Sequence, residues 1–175
     1  MSTQRAVIGL MVFLAVTAVA PIVGGMATAS SVDSAWFRGL AKPRWNPPDW
    51  VFGPVWTVLY VLMAVAAWMV WKNLAQASAP GSGGGAVVWA RSMWVPMGLY
   101  GAQLALNLVW SVIFFGMREV GWAFAEIVVL WVMIALTTAA FARVSAGAAW
   151  MMSPYLAWVS FASVLNFTIW RMNGG

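Results

Sequence analysis

The sequence predicts an all-α integral membrane protein, a bundle of five transmembrane helices with a ligand cavity under its first loop. Three observations predict the bundle. About 63% of the 175 residues are apolar and only 7% are charged, against roughly a quarter charged in soluble domains. The charged residues divide the chain into five long, nearly uncharged windows: Ala6–Val32, Trp50–Trp71, Ser92–Met117, Val120–Ala142 and Val144–Trp170. Each exceeds the roughly 20 residues that a helix needs to cross a bilayer. Alternating ten-residue segments of the kind that build a membrane barrel do not occur.

The first span is placed at residues 6–27. Arg5, an apolar run and Ala27-Thr28-Ala29 imitate a cleavable leader, but the run is long and contains Pro21, so a retained span is expected. A polar and aromatic loop follows to about Pro48, with Arg38, Lys42 and Arg44 among its residues. The second span is placed at residues 50–74. The Gly/Ser-rich stretch 78–85 reads as a flexible linker. Spans three, four and five are placed at 94–117, 121–142 and 148–170, joined by short turns at Arg118-Glu119 and at Arg143–Gly147. The whole chain, 1–175, reads as a single five-helix domain.

Alternation of the spans puts the first loop, the Arg118 turn and the C-terminus on one side, and the N-terminus, linker and Arg143 turn on the other. The two sides carry five and four Lys/Arg, too even for the positive-inside rule to orient the protein. Basic residues at span ends answer to headgroups and topology, so the net charge of +5 does not indicate nucleic acid. With no cysteine and no histidine, thiolate chemistry, disulfides and a zinc or haem-iron site are not expected. No metal site and no required cofactor are assigned.

What remains as chemical resource is aromatic surface: fourteen tryptophans. Trp45, Trp50, Trp71, Trp89, Trp94, Trp122 and Trp170 lie near span ends, where interfacial anchoring explains them. Trp56, Trp110, Trp131 and Trp158 lie deeper, and lipid-facing packing suffices for Trp131. At 1.5 Å rise per residue, several unusual residues reach one depth on the first-loop side. Trp56, Tyr60 and Met63 share one helical face; so do Gln103, Asn107, Trp110, Ser111 and Phe114; so do Trp158, Ala162 and Leu165. An aromatic wall with a few amide and indole groups describes a small-molecule site. Interhelical hydrogen bonding explains Asn107 and Gln103 equally well. Glu126 is costly in hydrocarbon and is expected to hydrogen-bond to a neighbouring helix. Gly98, Gly101, Ala102 and Ala105 form overlapping small-residue pairs, a packing face for a helix of this or another chain.

Three strings carry a resemblance: LAKPRWNPPDWVFGPVWTVLY at Leu40–Tyr60, GLYGAQLALNLVWSVIFFG at Gly98–Gly116 and PYLAWVSFASVLNFTIWR at Pro154–Arg171. Together they resemble the TspO/MBR family, over essentially the whole chain. The resemblance implies five helices and a pocket beneath the first loop that takes porphyrins, sterols or synthetic isoquinoline carboxamides. It implies that Trp56 and Trp158 are pocket indoles involved in porphyrin binding and in its light-dependent breakdown. It implies that Asn107 is a pocket amide, Trp110 an adjacent wall, and Pro47, Ala162 and Leu165 further wall positions. Gly98 and Ala102 would belong to a homodimer seam on the third span. Two positions depart from the family pattern. Phe37 stands where a tyrosine is frequent, and Phe167 where a C-terminal sterol motif has tyrosine, so cholesterol is discounted.

The function expected is binding and sensing of a porphyrin or similar flat apolar ligand by a membrane-embedded homodimer. Arg38, Lys42 and Arg44 on the lid would meet its propionates. Light-dependent porphyrin degradation, with Trp56 and Trp158 as photochemical partners, and transport of porphyrin or sterol are the alternatives. No acid–base pair supports conventional catalysis. The expected location is a bacterial envelope membrane, or the mitochondrial outer membrane for a eukaryotic source.

Overall fold

A computed structural model describes residues 2–32, 34–77 and 94–174. The linker predicted at 78–85, with Trp89 and Arg91 beyond it, lies outside the described residues. Among them all regular structure is helical: α1 Thr3–Val32, the short α2 Ala35–Gly39, α3 Asp49–Ala77, α4 Trp94–Ser111, α5 Val120–Ala142 and α6 Ala146–Met172. A π-helical turn, Val112–Met117, continues α4. Five helices are long and apolar enough to cross a membrane. Helix is what these uncharged runs must form there, because hydrocarbon offers no partner to a free N–H or C=O. The protein is an integral, multi-pass membrane protein.

Caps and turns follow local chemistry. Ser34 opens α2 by accepting from the Phe37 amide at 3.2 Å, and Ser145 opens α6 by accepting from Ala148 at 3.3 Å. Arg118 ends the π-helical turn in a left-handed conformation, φ 63°, and the Glu119 amide donates back to Ile113 O at 3.1 Å. That reversal sends α5 back antiparallel to α4. The first span runs to Val32 rather than ending near residue 27, and Pro21 lies inside the helix.

The five long helices close a ring in the order α1, α3, α6, α5, α4 and back to α1. Gly9 makes the α1–α3 seam possible, since a Cβ there would lie 2.4 Å from the Trp71 ring. Trp68 Nε1 donates to Ala6 O across the same seam at 2.8 Å. Tyr100 and Thr17 bond α4 to α1 at 2.5 Å. The single Thr17 hydroxyl proton goes to Phe13 O at 2.6 Å, so Tyr100 is the donor in that pair. The outer face of α1, including Val7, Met11, Val16, Val19 and Ile22, is exposed, as a lipid-facing helix requires.

The first loop folds onto the helix ends on its side. Trp36 meets Phe114 edge-on at 6.1 Å and Phe37 meets Phe115 at 5.8 Å. Ser31 Oγ donates to Phe115 O at 2.7 Å. The Asn173 amide clamps Ala41, accepting from its N–H and donating to its carbonyl, both at 3.0 Å.

Candidate functional site

Asn107 is the centre of the polar interior. It lies on the inner face of α4, 3% exposed. Its Oδ1 accepts from Tyr60 OH at 2.5 Å, and its Nδ2 donates to Tyr155 OH at 3.1 Å. One amide thus ties α3, α4 and α6. Trp56, one turn before Tyr60, stacks on that phenol with centroids 5.5 Å apart and meets Tyr155 edge-on at 6.1 Å.

A second group sits nearer the lid. Trp110 stacks on Phe114 at 5.2 Å, and its Nε1 donates to Asn166 Oδ1 at 3.1 Å. Asn166 in turn donates to Val120 O at 2.9 Å, joining α4, α6 and the start of α5. Trp158 belongs to a third group, edge-on to Phe52 at 5.8 Å and tilted against Phe161 at 5.4 Å. Trp45 of the first loop closes over Phe161 at 5.8 Å.

Four buried polar atoms in this interior have no hydrogen-bond partner among the described residues: Trp158 Nε1, Gln103 Oε1 and both carboxylate oxygens of Glu126. Gln103 satisfies its other end weakly, with Nε2 donating to Met63 Sδ at 3.8 Å. Glu126 corrects the expectation of a helix-to-helix hydrogen bond: α5 holds its carboxylate oxygens buried, and no described residue bonds to them. A buried polar atom left without a partner costs about 1–3 kcal/mol, so four of them mark a place that packing alone does not explain.

The residues singled out from sequence therefore fall into groups. Trp56, Tyr60 and Asn107 are in direct contact. Trp110 and Phe114 stack one turn further toward the lid. Trp158 stands on α6 beside Tyr155, with Ala162 half-buried and Leu165 buried on the same helix. Pro47 is half-buried just before α3, its carbonyl accepting from Asn46 Nδ2 at 2.9 Å. Phe37 packs against Phe115 and lies under the Lys42 ammonium, 3.5 Å from the ring centroid. Arg38 and Arg44 are exposed. Of the small residues on α4, Gly98, Gly101 and Ala105 are exposed while Ala102 is half-buried, and nothing lies within 4 Å of a Cβ built on Gly98 or Gly101.

Sequence reasoning left Tyr155, Asn166, Phe52 and Phe161 out of the site. Helical spacing was the available signal. Tyr155 and Asn166 lie three residues before and eight after Trp158, and Phe52 lies four before Trp56. A recess of about 830 Å³ does open beneath α2, but its walls are Trp36, the 118–121 turn, Trp122 and the end of α6 rather than Trp56, Asn107 or Trp158.

Fold and interior together define a polytopic helical membrane protein with an aromatic-walled, amide-centred core beneath a folded loop. The chain belongs to the TspO/MBR family, whose model matches residues 12–171. It is 44% identical to the translocator protein of Homo sapiens over 140 residues, covering 80% of this chain and 76% of that one. It is 45% identical to the tryptophan-rich protein TspO of Chlorobaculum tepidum over 141 residues, 80% of either chain. It is 39% identical to the tryptophan-rich sensory protein of Cereibacter sphaeroides over 138 residues, 79% of this chain and 77% of that protein.

Proposed function

We propose that this protein is a membrane-embedded binding and sensing protein for porphyrins and similar flat, largely apolar tetrapyrroles. The observation that carries the reading is the coincidence of aromatic faces with unmet polar atoms. Trp56, Tyr60, Tyr155 and Trp158 bring ring surface from α3 and α6 to one level. The unpartnered Trp158 Nε1, Gln103 Oε1 and Glu126 carboxylate supply a donor and acceptors to the same interior. A tetrapyrrole offers a broad apolar face, N–H donors at its centre and anionic propionates at its rim. Ring faces cover the body, carboxylate and amide oxygens suit the N–H groups, and Arg38, Lys42 and Arg44 suit the propionates. The names translocator and sensory protein carried by relatives accord with a ligand-responsive role.

The exposed small face of α4, with Gly98, Gly101 and Ala105, suits close approach of the same helix of a second copy. A homodimer through that face is the assembly we assign.

Titration of the purified protein with protoporphyrin IX, read by quenching of tryptophan emission, tests the binding proposal. Aromatic pairs contribute about 0.5–1.5 kcal/mol each beyond area, so Trp56→Ala with Trp158→Ala weakens binding by about five- to 140-fold, before any loss of buried area. Unchanged affinity in that double variant removes the site. Illumination of the same samples separates turnover from binding: a protein-dependent porphyrin product that Trp56→Phe abolishes assigns an activity, and its absence leaves binding alone.

A further inference from the structure

The recess beneath α2 has a composition of its own. It lies at the ends of α4, α5 and α6, the depth at which headgroups meet a spanning bundle. Three indoles border it: Trp36, Trp122 and Trp170. Its ionisable lining consists of two adjacent residues, Arg118 and Glu119. Both are exposed, and neither is ion-paired among the described residues. The left-handed reversal at Arg118 fixes where these side chains leave the backbone. The guanidinium is held 5.7 Å from the centre of the Trp36 ring.

The geometry points to a zwitterionic phospholipid with a primary ammonium, a phosphatidylethanolamine headgroup, as the occupant of this recess. Arg118 supplies N–H donors for the phosphodiester. Trp170, which lines the recess, packs its indole against Gly121, where a built Cβ would lie 2.8 Å from Nε1, and that Nε1 makes no hydrogen bond to a described residue. Glu119, the next residue to Arg118, accepts from the ammonium that lies two carbons from the phosphate. A lining of one cation and one anion suits a zwitterion. A glycerol headgroup offers Glu119 only neutral hydroxyls and no cation, and a choline gives it a charge without an N–H.

The apolar side of the recess continues as a track for an acyl chain. Trp122 is 71% exposed, and below it on α5 Ala125, Val129, Val132 and Leu136 form one outward stripe, exposed throughout. From Ala125 to Leu136 the stripe runs about 16 Å. Asn173, whose amide is committed to Ala41 and Ile169, closes the far end without competing for the headgroup. None of these residues belongs to the Trp56–Asn107 core, so this assignment and the porphyrin proposal stand or fall separately.

The test offers the purified, delipidated full chain an equimolar mixture of palmitoyl-oleoyl phosphatidylethanolamine, phosphatidylcholine and phosphatidylglycerol. Native mass spectrometry reads the lipid retained. Phosphatidylethanolamine is expected to exceed each of the others by about 1.5- to fivefold, the range of an exposed ion pair. Glu119→Gln levels ethanolamine with choline. Glu119→Lys turns the preference to the glycerol headgroup. Arg118→Gln lowers all three while leaving the thermal unfolding midpoint unchanged, which a folding defect would not. Because the classes compete in one sample, a general folding defect lowers them together and does not imitate a switch. Equal retention of the three lipids by the unaltered chain overturns the assignment, and so does a preference that survives Glu119→Gln and Glu119→Lys.

Discussion

The two halves of the bundle are built differently, and the difference separates scaffold from site. Toward the side of the N-terminus, Met63, Ala66, Ala67 and Val70 of α3, all 0% exposed, share one buried cluster with Ile134, Phe141 and Met152, which are equally enclosed. Apart from Thr137, the Thr17–Tyr100 pair and Gln103, whose amide donates to Met63, the described residues of that cluster are apolar. On the side of the first loop, Trp56, Trp110, Trp158 and Ala162 remain half-buried, amides replace aliphatic groups, and the unpartnered oxygens of Glu126 begin. Lipid tails are as apolar as leucine, so in a membrane a tight helix interface rests on packing and polar contacts. The half with the better packing holds the ring together. The other keeps aromatic and polar groups that packing leaves unsatisfied.

The sharpest way to break this contrast is to remove one large side chain from each half. Phe141 is 0% exposed and stacks on Tyr100 at 6.2 Å. Phe141→Ala is expected to lower the unfolding free energy in mixed micelles by about 3 kcal/mol, near the bottom of the range for such truncations, because the hydrocarbon around the bundle reduces the transfer part of the cost. Trp158→Phe, in the half assigned to the ligand, is expected to cost less than about 1 kcal/mol, since it keeps ring surface and deletes an indole N–H that has no protein partner. Equal losses would mean that the two halves do not differ as scaffold and site.

Asn107→Leu comes next. It cuts both hydrogen bonds that join α3 and α6 to α4 and strands two phenol hydroxyls. A loss of about 1–2 kcal/mol in stability is expected, together with weaker protoporphyrin binding. Glu126→Leu should move the two readouts apart. Removing a buried polar group without a protein partner raises stability by about 1 kcal/mol, while protoporphyrin affinity falls. A stability loss on Glu126→Leu would reveal a structural partner and remove Glu126 from the site.

Much of this was legible in the sequence. Charge spacing delimits the helices, because charge is costly in hydrocarbon and, Glu126 aside, gathers at span ends, and the Arg118 and Arg143 turns stand where the charges do. The convergence of Trp56, Tyr60 and Asn107 was legible from helical phase and depth. Ring contacts further apart in sequence were not. Helical phase says which face Trp158 occupies but not that Phe52, from α3, meets its edge. Nor does it say that Phe37 turns to Phe115 and Lys42 rather than toward Trp56. The missing partner of Glu126 is likewise a property of packing: the sequence states the cost of a carboxyl group in a span, and only the fold states that no neighbour meets it. The Arg118-Glu119 turn reads in sequence as a bare helix connection. Its place against Trp36 depends on how the first loop folds back.

The lid carries the smallest effect and the one most open to confusion with general charge. Lys42 is held on the Phe37 ring, whereas Arg38 and Arg44 are exposed. Exposed ion pairs contribute at most about 1 kcal/mol and are screened by salt. Arg38→Ala or Arg44→Ala should therefore weaken protoporphyrin IX by about two- to threefold at low salt and by less at 1 M. The dimethyl ester of the same porphyrin, which lacks the two carboxylates, should bind the unaltered chain and both variants alike, whatever the salt. That control separates recognition of propionates from any effect of the loop on packing, because a loop that had lost its fold would weaken the ester as much as the acid. If the ester weakens in step with the acid, the basic residues act on the fold of the lid, and the propionates find their partners elsewhere.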